Sequence, residues 1–333
     1  MWDHRTYEDT DYGLDEGETF EPDLDDDEPF DLSLPHIMTI LGPIEPEEFG
    51  VCLPAARLLP ASSADVAARV RSRLLEEAAE ELEAFASVGG RSVVDPATAA
   101  TGRDIAGLQY LTQRVPSHLV AATGAGADGI LRPSQIDQEI RDGIGESGVW
   151  PGAISLHAGE LLDLIRSGAS RDAVNWHGLP LLVELDAWND ATAMEIASSI
   201  AAGTMHAEAP GSLVLHGPSG VPDPALMRVL AEQGGFAIVT APGEGHQAQE
   251  RTVASKIVEF IRDGLVDHLL VTLQLGTPRL PVAQPMAPRT PYLIDWFPLA
   301  LMDAGASALD ARRILIENPA RAFTITPRNV GSA

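Results

Sequence analysis

From residue 51 to the C-terminal end the chain alternates between two kinds of segment. Short, nearly continuous apolar runs stand at VCL (51–53), SVVDPAT (92–98), HLVAATG (118–124), GAISLHA (152–158), PLLVELDA (180–187), SLVLHGPS (212–219), GFAIVTAP (235–242) and HLLVTLQLG (268–276). Each is followed by a longer stretch with apolar residues three and four apart. The clearest is Ala64 to Ser87, where Val66, Val70, Leu74, Leu75, Ala78, Leu82 and Phe85 mark one face of a helix and Gly89-Gly90 ends it. Further helices are predicted from about Asp104, Ser134, Glu160, Asp190, Pro224 and Gln249, with closing helices over Tyr292 to Ala304 and Ala308 to Glu317.

Strands that are apolar throughout, rather than at every second position, belong in a parallel sheet covered by helices. Eight strand–helix units in about 280 residues predict an α/β fold, a (β/α)8 TIM barrel, since such barrels typically use about 250 residues. No Gly-x-Gly-x-x-Gly turn follows any of the runs, which speaks against an open dinucleotide-binding sheet. A short β-rich opening, His36 to Ile44, precedes the first unit.

The first 35 residues follow neither pattern. They hold 14 acidic residues against Arg5 alone, with Trp2, Tyr7, Tyr12, Phe20 and Phe30 scattered among them. High charge with sparse apolar residues predicts a disordered acidic tail, residues 1–35, in front of a barrel domain over 36–333. Such a tail can serve as a solubilising segment, or it can engage a basic protein surface.

Charge narrows the partners further. With 22 Lys and Arg against 49 Asp and Glu, the formal charge is −27, of which −14 belongs to the residues after the tail. Both parts repel nucleic-acid phosphates and anionic lipid, so neither nucleic acid nor membrane is expected as a partner. Cys52 is the single cysteine and lies in an apolar run, a buried thiol rather than a reactive one. No apolar run reaches spanning length and the N-terminus lacks a signal-peptide pattern, so a cytoplasmic location is expected.

Within this framework the segment ILGPIEPEEFGVCLPAARLL (40–59), Asp95 in VVDPAT, TGRD (101–104), VAATG (120–124), EIRDGIGESGV (139–149), GLP (178–180) and ILIENPARAF (314–323) together resemble the phosphotriesterase and lactonase branch of the amidohydrolase superfamily. The resemblance runs from Ile40 to Pro327. It implies a barrel whose C-terminal mouth holds two metal ions, zinc in that family, and a bridging hydroxide that attacks a phosphoester or lactone. It also implies self-association, with itself or with a related barrel.

Carried over position by position, the resemblance places the family's six metal ligands on Ala55, Arg57, Ser155, Glu184, His216 and Gln274. Only His216 keeps the family's residue type. The bridging carboxylated lysine has no substitute, because the only lysine of the chain, Lys256, lies in the helix before the eighth strand. A bridging hydroxide needs two cations to bring the pKa of water toward neutrality, so no metal cofactor is expected here. The expectation is a catalytically degenerate barrel, a pseudoenzyme working as a binding or structural subunit. An Arg57–Glu184 pair would replace part of the missing metal charge.

The alternative is a hydrolase of a lactone or ester that uses no metal or one. His157 stands two residues after Ser155 on the same strand, and with Glu184, His216, Asp186 and Arg57 it supplies a base and a charge clamp. Asp95 reads as a turn anchor or a partner of Arg103. His177 reads as a loop residue, His246 as a solvated residue of a Gly-rich loop, and the Pro-rich loop 277–291 as a cap over the mouth or a partner surface.

Overall fold

The computed structural model describes residues 30–60, 68–167, 177–188, 191–202, 211–273, 275 and 289–327. The acidic segment before residue 30, Gln274 and most of the loop 277–291 lie outside the described residues. The barrel belongs to the compact unit that begins at Leu32.

An antiparallel hairpin, β1 (Ile37–Thr39) with β2 (Gly42–Ile44), leads into β3 (Val51–Leu53) and α1 (Ala68–Ser87). The chain then runs β4 (Gly90–Asp95), α2 (Ile105–Arg114), β5 (His118–Thr123), α3 (Pro133–Asp142), β6 (Ala153–His157) and α4 (Ala158–Ser167). It continues β7 (Leu181–Glu184), α5 (Ala191–Ala201), β8 (Leu213–His216), α6 (Pro224–Glu232), β9 (Phe236–Ala241), α7 (Gln247–Arg262) and β10 (Leu269–Leu273). The end is helical: α8 (Tyr292–Asp295), α9 (Phe297–Ala304), α10 (Ala308–Arg312), a π-helical turn over Arg313–Glu317 and α11 (Asn318–Phe323).

Strands β3 to β10 form one parallel sheet in chain order, and β10 lies against β3, so the sheet is a (β/α)8 barrel. All eight apolar runs of the sequence became strands of it. Their side chains divide by parity, as a pleated strand requires. Cys52, Val94, Ala122, Leu182, Val214 and Ile238 fill the inside, while Leu53, Val93, Ala121, Leu181 and Val239 face the surrounding helices.

The N-terminal end of the barrel is plugged. Ile37, Phe49 and Phe323 join the interior cluster there, with the two phenyl rings 6.3 Å apart. Gly152 lets the hairpin in, because a Cβ at this position would run into the Met38 carbonyl. Asn318 pins the last helix: its amide donates to the Val266 and Leu269 carbonyls at 2.8 and 2.7 Å.

One helix expected from the sequence is divided. Tyr292 to Ala304 breaks at Trp296, since Pro298 has no N–H to continue the ladder and starts α9 instead.

Candidate functional site

The plug closes the N-terminal end; at the other end the inward parity of each strand turns polar. Inward positions end in Ser155 and then His157 on β6, Glu184 on β7, His216 on β8, Thr240 on β9 and Thr272 on β10. Glu184 is the centre of a row: the sheet register places it beside His157 of β6 on one side and beside His216 of β8 on the other.

Each neighbour of Glu184 is held differently. The His157 Nδ1 accepts from the Gly159 N–H at 3.3 Å, which leaves Nε2 to carry the proton and donate to Asp186 at 3.3 Å; Asp186 itself is 77% exposed. Glu160 accepts from the His157 backbone N–H at 2.7 Å. His216 is nearly enclosed, and burial pushes its pKa down to about 4, so the ring is neutral at pH 7. Thr240 gives its hydroxyl proton to the Gly217 carbonyl at 3.2 Å, so the His216 Nε2–H donates to the Thr240 oxygen at 3.3 Å.

The Glu184 carboxylate has no hydrogen-bond partner among the described residues. Desolvation raises its pKa, opposed by the charge of Arg57 and, when its ring is protonated, by that of His157. Arg57, across the mouth on the segment after β3, is half-buried and lowers the pKa of both Glu184 and Asp95 through space. The Arg57–Glu184 ion pair expected from the sequence does not form. Arg57 makes no ion pair among the described residues, because β3 and β7 are four strands apart in either direction around the barrel.

Asp95 is an anchor, as its place at a strand end suggested. It is 3% exposed, and its two oxygens accept from the Leu58 N–H at 3.2 Å and the Ala97 N–H at 2.9 Å. Burial raises its pKa to about 6 despite those bonds. Arg103 does not pair with Asp95. It forms a two-pronged pair with Glu139 of α3, 2.9 Å on each prong, and also donates to the Ala122 carbonyl at 2.6 Å.

The remaining candidates lie apart. Ala55 is buried with φ 56°, in the left-handed region, and Ser155 is buried beneath His157. His177 stands before β7, at the opposite end of the strand from Glu184, and bonds Asp137 at 2.7 Å. His246 is an exposed residue at the start of α7. A cavity of about 480 Å³ runs along α3, lined by Ser134, Gln135, Gln138, Glu139 and Asp142, and none of the strand-end residues lines it.

Two inward residues were not singled out from the sequence, although strand parity with Ile238 and Leu270 marks both. Thr240 holds His216, and Thr272, 1% exposed, keeps a hydroxyl with no partner among the described residues. The Trp188 indole N–H, packed on Gly217, is also buried without a partner among the described residues.

For a metal centre the donor set matters. Ala55 has no side-chain donor and Arg57 is a cation. Among the described residues no group of three or more His, Cys, Asp or Glu side chains comes together as a metal shell. The residues present at the described strand ends therefore do not fit the binuclear centre that the resemblance implies.

No family model matches the sequence, and none of the curated proteins compared with it matches. Solved structures do match. An amidohydrolase from Mycoplasma synoviae superposes with a TM-score of 0.71 at 20% identity, over 89% of this chain and 94% of that one. An organophosphorus hydrolase from Deinococcus radiodurans, solved as a triple mutant, gives 0.68 at 19% identity, over 86% and 97%. A phosphotriesterase from Mycobacterium tuberculosis gives 0.65 at 16% identity, over 87% and 98%. At these identities the likeness is one of fold: the chain folds as phosphotriesterase-like amidohydrolases do.

Proposed function

We propose that this chain is a catalytically degenerate phosphotriesterase-like barrel, a binding or structural subunit rather than a metallohydrolase. The observation that supports this reading is the donor set at the strand ends: alanine and arginine after β3, serine on β6, and no convergent metal shell among the described residues. Without two cations there is no bridging hydroxide at neutral pH. The same reading makes residues 1–35 an appendage separate from the barrel domain, and the protein a homo-oligomer or the partner of a related barrel, with the acidic tail addressed to a basic protein surface.

The test is metal content by elemental analysis after incubation with zinc, manganese and cobalt, together with hydrolysis assays on a phosphotriester and a lactone. Expected are less than about a tenth of a metal per chain and no metal-dependent turnover. Stoichiometric metal that disappears in His216→Ala, with turnover that follows it, would overturn the reading. A pull-down comparing full chain with a form lacking residues 1–35 tests the tail; recovery of the same partners without it removes the tail from recognition.

One observation favours a second reading, a hydrolase of a lactone or ester. Glu184 is a partly desolvated carboxyl with no hydrogen-bond partner among the described residues, flanked by two histidines, which is how a general base is poised. Lactone hydrolysis that persists in chelator and is lost in Glu184→Gln would select it.

A further inference from the structure

The two charges that face each other across the mouth do not meet. Arg57 follows the first barrel strand and Glu184 ends the fifth, so they stand on opposite walls. The Arg57 charge acts on Glu184 electrostatically, yet neither side chain has a hydrogen bond or an ion pair among the described residues. A half-buried guanidinium holds five donors and a carboxylate about four acceptor sites. Both side chains are partly exposed, so water can meet part of that capacity, and a ligand that reproduces those bonds with full charges would replace it.

We propose that the mouth binds a small zwitterion, an amino acid whose carboxylate pairs with the Arg57 guanidinium and whose ammonium pairs with Glu184. This rests on the non-catalytic reading of the same site. A planar fork is suited to a carboxylate, which it grips with two parallel bonds. The Glu184 side of the mouth is acidic, with Glu160 and Asp186 on its rim, so it repels a plain anion and attracts an ammonium. Arg57 in turn repels a plain amine. Only a molecule carrying both charges satisfies both walls. The floor agrees: Thr272 is 1% exposed, faces into the barrel beside Thr240 in the β9–β10 register, and its hydroxyl has no partner among the described residues.

The distance between the two charges of the ligand can be read with a ruler of ω-amino acids: glycine, β-alanine, γ-aminobutyrate and δ-aminovalerate. Calorimetric titration of the full-length chain with each is compared with butyrate, butylamine and γ-hydroxybutyrate, which lack one charge or the other. The expected result is saturable binding of one or two members of the series, at least about tenfold tighter than any control. Arg57→Gln and Glu184→Gln should each weaken it about tenfold or more, and Thr272→Val by a few-fold, with thermal melts in parallel to show that the variants fold. Arg57→Lys keeps the charge and loses the fork, so it should fall between.

Three results would overturn the proposal: no saturable binding anywhere in the series, butyrate or butylamine binding as tightly as the amino acids, or unchanged affinity in Arg57→Gln. Metal-dependent turnover of a lactone in a protein that still binds the zwitterion through Arg57 would remove the non-catalytic reading alone.

Discussion

The barrel contains two arginine–carboxylate arrangements that share chemistry and differ in every physical respect. Arg103 and Glu139 lie behind β5, with side chains 6% and 13% exposed. The pair is densely bonded: two bonds between the partners, one from Arg103 to the Ala122 carbonyl, and one from the Thr123 hydroxyl to Glu139 at 2.6 Å. Arg57 and Glu184 face the mouth and touch nothing charged among the described residues. A bonded pair fixes how α3 sits on the sheet, whereas two charges without protein partners among the described residues leave bonding capacity in the mouth of the fold. The contrast separates a group kept for the architecture from a group kept for a ligand.

Truncation is the harshest way to break the contrast. Arg103→Ala removes one half of a buried, hydrogen-bonded pair and strands Glu139, an arrangement whose loss generally costs about 3–5 kcal/mol. Arg57→Ala removes a half-buried cation with no partner among the described residues and should change stability by less than about 1 kcal/mol. Urea unfolding of the two variants beside the parent decides it. Equal losses would mean that Arg57 is structural after all.

A second, smaller effect sharpens the electrostatics of the mouth. Asp95 titrates at about 6 in the fold against 3.8 in the unfolded chain, so its contribution to stability is present below pH 3.8 and is lost as pH rises toward 6. His216 titrates at about 4 against 6.5, so its contribution is present above pH 6.5 and is lost as pH falls toward 4. Each shift corresponds to roughly 3 kcal/mol. Their slopes are opposite between pH 4 and 6 and largely cancel. Glu184, which acts on Asp95 electrostatically and is also raised, adds to the Asp95 slope.

Asp95→Asn should therefore expose stability that rises with pH across this window, and His216→Gln stability that falls. Chemical denaturation at pH 4, 5 and 6 reads the sign. The same sign in both variants would show that the two groups are not the ones titrating.

The legibility of each feature in the sequence depends on how local its cause is. Strands β3 to β10 were legible because burial on both faces leaves a continuous apolar run, which is local information. The cause of the break at Pro298 is local too, a missing N–H inside an otherwise helical pattern. The Arg103–Glu139 pair was not legible, since 36 residues separate its partners and only the packing of α3 on β5 joins them. Arg57 and Glu184 were both found as candidates, but as a pair, because a linear reading says which strand end carries a charge and not how wide the barrel is between opposite walls. Thr240 and Thr272 sat at inward positions of apolar strands, a signal present in the sequence and hidden by their small size.

The smallest effect concerns two residues in the left-handed region, Ala55 at φ 56° and His177 at φ 48°. For an L-residue this conformation costs about 1–2 kcal/mol, and glycine there gives back about 0.5–1 kcal/mol through the greater freedom of its unfolded chain. Ala55→Gly removes only a methyl group from a buried turn and should raise stability by a few tenths to about 1 kcal/mol. His177→Gly relieves the same backbone but also deletes the 2.7 Å bond to Asp137, so it should come out near zero or below. Thermal melts of the two variants test whether the turn after β3 is held under strain by the mouth it borders. A gain at Ala55 that comes without any change in amino-acid affinity would make that strain a property of the turn alone, whereas a gain accompanied by weaker binding would mean that the left-handed turn aims Arg57 at its ligand.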